Sequence, residues 1–252
     1  MRVENLDVRI YEDAKALGDA AGARAAGSMI ALDVELPEVA VVFATGASQF
    51  ETLRALTSHQ NVPWRQVVGF HMDEYIGISD QHPASFRRYL RERLTDRAPL
   101  KRFYGVDGSA PDPDRICREY ADLLRQHQPK LCLLGIGENG HLAFNDPAEA
   151  DFEDPLDAKV VSLDEVCRQQ QFKEGWFASL TDVPQKAITL TIPALYRIPE
   201  LICSVPGPRK AQIVKRALFE PVSTQCPATI LRRHSNTTIF LDRASAAELN
   251  SL

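Results

Sequence analysis

The sequence predicts an α/β fold, a doubly wound and mainly parallel sheet with helices on both faces. Three observations carry that reading. Short apolar runs of the kind that fill strands covered on both faces recur at 39–44, 67–72, 131–134 and 201–205. Helix-compatible segments lie between them, so successive strands are joined by right-handed crossovers. One run, 131–134, ends in the glycine-rich stretch 135–147, GIGENGHLAFNDP, and ligands in open α/β sheets bind at such strand ends. Gly135 and Gly137 there let backbone approach a ligand with no Cβ in the way.

At 252 residues the chain is long enough to bury a sizeable core, and no repeat, low-complexity tract or linker divides it, so 1–252 reads as a single domain. With 44% hydrophobic and 25% charged residues it is not a disordered chain. A formal net charge of -5 gives no field for a nucleic-acid backbone, although a local cationic pocket for a small phosphate remains open. Cys117, Cys132, Cys167, Cys203 and Cys226 are odd in number and include no C-x-x-C pair, the usage of reduced thiols in a cytoplasmic protein. The amino terminus has no signal-peptide core, and no apolar run is long enough to span a bilayer, so neither export nor a membrane partner is expected.

Taken in order, Leu6, Val8 and Ile10 alternate with polar neighbours as in a strand with one covered face, and 12–32 reads as helix. Gly18, Gly22 and Gly27 each cost that helix about 1 kcal/mol relative to alanine, and close packing against the sheet is the expected compensation. The strand 39–44 leads through Thr45, Gly46, Ala47 and Ser48 into a helix at 49–59. Such a loop aims free N–H groups and a helix dipole at one spot, with two hydroxyls added. It reads either as a phosphate cradle or as an ordinary turn capped by Ser48. No Gly-Lys-Ser/Thr follows, so it is not a Walker loop.

The strand 67–72 delivers Asp73, Glu74 and Tyr75 at its carboxyl end. Asp73 is a candidate general base, against the alternative of a cap or a solvated loop; His71 reads as structural. Helix 85–94 carries Arg87, Arg88, Arg91 and Arg93 as a solvated face, and a short strand at 101–106 precedes a helix at 111–126. Residues 148–182 are acidic and weakly periodic, the character of a lid beside a site or of a surface excursion. Strand pattern resumes at 186–191, a helical turn follows at 192–196, and the buried strand 201–205 ends at Pro206, Gly207, Pro208, Arg209 and Lys210 before a helix through 218. A cation such as Lys210 is poorly placed at a helix start unless an anion joins it, which points to anion binding. Segments 227–233 and 237–241 complete the sheet region, and 244–249 forms a terminal helix.

Together, MDEY-x-G at 72–77, GIG-x-x-GHLAFN-x-P at 135–147, the Thr45–Gly46 loop and Lys210 resemble the glucosamine-6-phosphate deaminase family, also called isomerases. The 6-phosphogluconolactonases share that fold and a similar glycine-histidine segment. The resemblance implies conversion of glucosamine 6-phosphate to fructose 6-phosphate and ammonia. It assigns Thr45, Gly46, Ala47, Ser48 and Lys210 to the phosphate, His141 to ring opening, and Asp73, ionised at rest, to proton transfer between C2 and C1. It implies no metal or organic cofactor, a sugar phosphate as the small-molecule partner, and a homo-oligomer. His141 is not expected to ligate zinc, because no second histidine or cysteine lies near it at ligand spacing.

Two positions of the catalytic group depart from the family pattern. Most members carry Asp two residues before the histidine and Glu five after, where this chain has Asn139 and Asp146. Asn139 is expected to accept a hydrogen bond from the imidazole without offering charge, and the shorter Asp146 to fall back by about 1.5 Å. Ala47 replaces a hydroxyl residue, and Gln171 stands in the region of a phosphate-binding arginine. Two alternatives follow: a lactonase or an isomerase of a non-amino sugar phosphate, and a non-catalytic sugar-phosphate sensor.

Overall fold

The computed structural model describes residues 1–251. In chain order its elements are β1 (Arg2–Val3), β2 (Leu6–Tyr11), α1 (Ala14–Glu35), β3 (Val39–Phe43), α2 (Phe50–Thr57), β4 (Val67–His71), β5 (Asp73–Tyr75), α3 (Phe86–Leu90), β6 (Arg102–Tyr104) and α4 (Pro113–His127). There follow β7 (Leu131–Leu134), β8 (Ala158–Ser162), α5 (Glu165–Lys173), β9 (Lys186–Leu190), α6 (Ile192–Tyr196), β10 (Glu200–Val205), α7 (Ala211–Phe219) and β11 (Thr237–Asp242). Eight strands pair in the order β1-β2-β11-β10-β7-β3-β4-β6, all parallel except β1 against β2. Side chains alternate across this sheet, so Leu131 and Leu133 of β7 join the core beneath α1 while Cys132 and Leu134 join the core on the opposite face. Both faces are therefore filled, as the unbroken apolar runs require. Among the described residues no helix is long and apolar enough to cross a membrane.

Local chemistry sets the helix ends. Asp13 caps α1 by accepting the Ala16 N–H at 2.8 Å, and Asp112 caps α4 by accepting the Arg115 N–H at 2.9 Å, with Pro113 at the first helical position where no N–H is needed. The glycines of α1 have a different partner from the one expected. A Cβ on Gly18 would overlap Glu51, and one on Gly22 would lie 2.6 Å from Ala55 Cβ, so they admit α2 rather than the sheet; at Gly27 nothing lies within 4 Å.

Three further expectations are corrected. Strand β9 does not extend the main sheet but lies between β5 and β8 in a second, three-stranded antiparallel sheet. Residues Pro227–Arg233 form a buried 3-10 segment, not a strand. Arg87 leaves the solvated face and points inward, 3.0 Å from Asp107 and 3.7 Å from the buried Glu74. The stretch 148–182 contains β8 and α5, so it is regular structure over much of its length. Tyr75, Phe86 and Phe144 pack at centroid separations of 4.9, 5.2 and 5.6 Å, joining the small sheet to α3 and to the loop after β7.

Candidate active site

The carboxyl ends of β3, β4, β7 and β10 surround a cavity of about 370 Å³, and every residue expected at the site except Asn139 and Asp146 lines it. After β3, Gly46 takes φ 85°, and a 3-10 turn Ala47–Gln49 runs into α2. Ser48 does not cap that helix; its hydroxyl accepts a 3.1 Å hydrogen bond from Gln49 Nε2, which also donates 3.0 Å to the Leu134 carbonyl. Gly135 makes this possible, since a Cβ there would lie 2.9 Å from Ser48 Oγ. After β10 the pattern recurs: Gly207 has φ 94°, its N–H donates to Asp242 at 2.9 Å, and a 3-10 turn Pro208–Lys210 begins α7.

Lys210 is only 9% exposed and has no carboxylate within 4.0 Å among the described residues. Burial pushes its pKa down, against an upward pull from Glu174 and Glu138. It faces the same cavity as the Thr45–Ser48 loop, a buried cation opposite free donors.

Asp73 and Glu74 leave β4 in opposite roles. Glu74 is fully buried and accepts from Ser85 Oγ (2.9 Å) and from the N–H groups of Tyr75, Phe86 and Arg87 (3.0, 3.1 and 2.9 Å), which fixes the start of α3. Asp73 faces the cavity, 6% exposed, with Oδ1 lacking any hydrogen-bond partner. Burial, and then the neighbouring Glu74, push its pKa well above the usual carboxylate range. Burial therefore costs the ionised form expected at rest, and Oδ1 has no donor to offset the lost water.

His141 rests on Gly137. A Cβ on Gly137 would lie closer than 3.0 Å to three atoms of the imidazole, so the glycine is the seat of the ring. The loop closes on itself through Gly137 N–H to His141 O and Gly140 N–H to Gly137 O, both 3.0 Å, with Gly140 at φ 93°. Next to it Ala143 holds φ 52°, a left-handed conformation that strains a residue with a Cβ. Imidazole Nδ1 lies 2.9 Å from Asp146 Oδ1, a close contact rather than a well-formed hydrogen bond. Burial raises the proton affinity of Asp146, but His141, Asn139 and the Asp164 N–H together outweigh it and hold the carboxylate below its ordinary range.

Residues 12–240 match the family model described as glucosamine-6-phosphate isomerases/6-phosphogluconolactonase. The chain belongs to this family. A glucosamine-6-phosphate deaminase of an Exiguobacterium species is 40% identical over 183 residues, covering 72% of this chain and 69% of the relative. That of Exiguobacterium sibiricum is 36% identical over 220 residues, 86% and 84% of the two chains. Among solved structures, a monomeric glucosamine-6-phosphate deaminase aligns with a TM-score of 0.88 at 29% identity, covering 96% of this chain and 99% of that one. A 6-phosphogluconolactonase from Thermotoga maritima aligns with a TM-score of 0.77 at 21% identity over 94% and 99%, which shows a shared fold.

Within this family fold, the two unusual residues act differently from expectation. Asn139 does not accept from the imidazole; its Oδ1 accepts the backbone N–H of His141 at 3.0 Å, and its Nδ2 donates to Asp146 and Asp164, both at 2.9 Å. Asp146 does not fall short, because it reaches Nδ1 itself. Folding also brings Cys167 to the pair, with donor atoms of His141, Asp146 and Cys167 within 4.8 Å of one another, a proximity that sequence spacing concealed. Burial and the charges of Asp146 and Asp164 push the Cys167 thiol well up, and the Asp146 oxygens already have N–H partners, so the cluster does not fit a thiolate-bound cation.

Helix α5 supplies the wall that sequence reading identified only at Gln171. Gln171 accepts from Tyr75 Oη at 2.8 Å; Gln170 accepts the Glu138 N–H at 3.0 Å and donates to Glu174 at 2.8 Å; Trp176 Nε1 donates to Glu174 at 3.1 Å. Gln170, Gln171 and Glu174 line the cavity, as does Arg209, 3.4 Å from Glu138. The one local signal for this helix was Asp164, an N-cap residue accepting the Cys167 N–H at 2.6 Å.

Proposed function

We propose that the protein is an enzyme converting glucosamine 6-phosphate, or a close 2-amino-2-deoxyhexose 6-phosphate, to the ketose 6-phosphate and ammonia. The observation that carries this is one cavity lined by a carboxyl group, Asp73, an imidazole, His141, a loop of free donors, Thr45–Ser48, and the unpaired buried cation Lys210. The loop and Lys210 hold the phosphate through N–H groups, hydroxyls and one positive charge. His141 moves the proton between the ring oxygen and C1 hydroxyl as the pyranose opens. Asp73 then takes the C2 proton and returns it at C1, leaving a C2 imine that water hydrolyses to the ketone with loss of ammonia. The reaction is an isomerisation that ends in deamination, distinct from simple hydrolysis.

The raised proton affinity of Asp73 fits this order. A substrate ammonium at C2 brings positive charge into the cavity, and that charge favours the carboxylate only once substrate is seated. Asp146 at 2.9 Å from His141 Nδ1 restores the negative charge that Asn139 lacks, which supports catalysis over a silent sensor. Every group named comes from one chain, and a solved deaminase relative is described as monomeric, so the proposed chemistry calls on no residue of a second copy.

The test is release of ammonia and fructose 6-phosphate from glucosamine 6-phosphate by the purified protein, run beside other hexosamine 6-phosphates and 6-phosphogluconolactone. Coupled release of both products is expected. Lactone hydrolysis with no ammonia from any amino sugar phosphate would replace this reading with the lactonase one.

A further inference from the structure

We infer that Asn139 is a positioning residue for His141, and that this chain needs an amide there because Asp146 and Asp164 already set two carboxylates against that side chain. The Asn139 side chain has two N–H donors, and both are engaged. One goes to Asp146 Oδ1 and one to Asp164 Oδ2, each at 2.9 Å. Its carbonyl oxygen accepts the His141 N–H at 3.0 Å, so the same side chain grips the histidine backbone. Asp146 has no exposure, and its Oδ1 is the atom that faces His141 Nδ1.

Asp164 is held equally firmly. Its Oδ1 caps α5 through the Cys167 N–H at 2.6 Å, and its own N–H donates to Asp146 Oδ2 at 3.1 Å. Two carboxylates therefore share one neutral amide, and the N-terminus of α5 is bonded to the partner of the proton-moving histidine. The far half of the same helix presents Gln170 and Gln171 to the cavity, joined by Glu174 at its C-terminal cap. Asn139 is thus the joint between the helix that meets the ligand and the imidazole that acts on it.

A carboxylate at 139 would replace both donor bonds with like-charge contacts at hydrogen-bond distance. Carboxylates sharing a site cannot all ionise, so either a proton is taken up or the group spreads apart. Both outcomes loosen Asp146 from Nδ1. Asn139→Asp, although it introduces the residue of the family pattern, is therefore expected to impair this enzyme, and Asn139→Asp with Asp164→Asn to repair it in part, because the cluster returns to two carboxyl groups and the new amide at 164 donates to the one at 139.

The inference rests on the reading of His141 as the ring-opening group, and two measurements keep them separable. The first is steady-state kinetics of wild type, Asn139→Asp, Asp164→Asn and the double variant on glucosamine 6-phosphate. Asn139→Asp should lose about 10²-fold in kcat, the scale of a misplacement of roughly 1 Å, with KM changed less than about threefold. The double variant should regain at least about tenfold of that loss. The second is ¹⁵N NMR of histidine-labelled protein, with the His141 signal assigned by His141→Gln. The Nδ1 resonance should move in Asn139→Asp and return toward wild type in the double variant, whatever the substrate is. An Asn139→Asp enzyme as active as wild type, or a double variant no better than the single one in both kcat and the Nδ1 signal, would overturn the inference. NMR rescue without amino-sugar turnover by wild type would uphold it and remove the proposed substrate instead.

Discussion

Gly137→Ala should disable the enzyme without unfolding it. The backbone at Gly137 is not in the left-handed region, so alanine fits its conformation, and the three atoms nearest the added methyl all belong to the His141 ring. That methyl would stand inside the 3.0 Å that real Cβ atoms do not cross, and recovering ordinary contact at 3.4–4 Å moves the ring by about 1 Å. The ring cannot retreat freely, because Nδ1 is 2.9 Å from Asp146 and the backbone N–H is fixed by Asn139. A displacement of that size at a proton-transfer group reduces rate by about 10²-fold. The assay is kcat for ammonia release, with KM and the melting temperature measured alongside. A kcat within about threefold of wild type would refute the claim that Gly137 seats the catalytic ring.

Three other substitutions test the electrostatics. Because the folded chain raises the pKa of Asp73 above 3.8, it binds that proton more tightly than the unfolded chain, so stability falls as pH rises from 3.8 toward the folded value. Asp73→Asn should abolish turnover and yet melt higher than wild type at pH 7, with the difference shrinking to nothing near pH 4; an equal gap at both pH values would contradict the assignment. Lys210→Met removes a cation whose pKa burial pushes down, so the empty protein should melt higher, lose stabilisation by inorganic phosphate, and show KM raised by about 10–10²-fold, the worth of a charge-assisted bond. His71 is pushed to about 3 by burial and then by Arg87, while its Nε2 accepts the Val106 N–H at 2.6 Å. Stability present above pH 6.5 should be lost as pH falls toward 3, and His71→Gln should flatten that loss in urea midpoints taken between pH 7 and 4.5.

Much of this architecture was readable in the chain, for a physical reason. Strands β3, β7 and β10 are covered on both faces and so are written as unbroken apolar runs, and Thr45–Ser48, His141 and Lys210 follow those runs directly. Asp73 was found in the same way after β4. The sheet to which β9 belongs was not readable, because Lys186–Leu190 has the same local pattern whether it pairs with the main sheet or with β5 and β8. Helix α5 was obscured because its buried face carries Cys167, Gln170 and Gln171, polar or small groups satisfied by the cavity wall rather than by an apolar core. Segment 227–233 misled in the opposite sense: its buried side chains resemble a strand, but they fill the core from a 3-10 turn. The role of Asn139 depended on Asp164, 25 residues away, and no local pattern announces such a partner.

The aromatic contact between the two sheets has a consequence for how substrate range can change. Asp73 opens the small sheet two residues after β4 of the large one, His141 follows β7 of the large one, and Tyr75, Phe86 and Phe144 pack the start of the small sheet against the loop that carries His141. Phe86 and Phe144 also line the cavity. Trimming or enlarging these two rings reshapes the cavity wall without replacing Asp73 or His141. Substitution at this hydrophobic seam is thus a route by which the cavity wall changes while Asp73 and His141 stay in place.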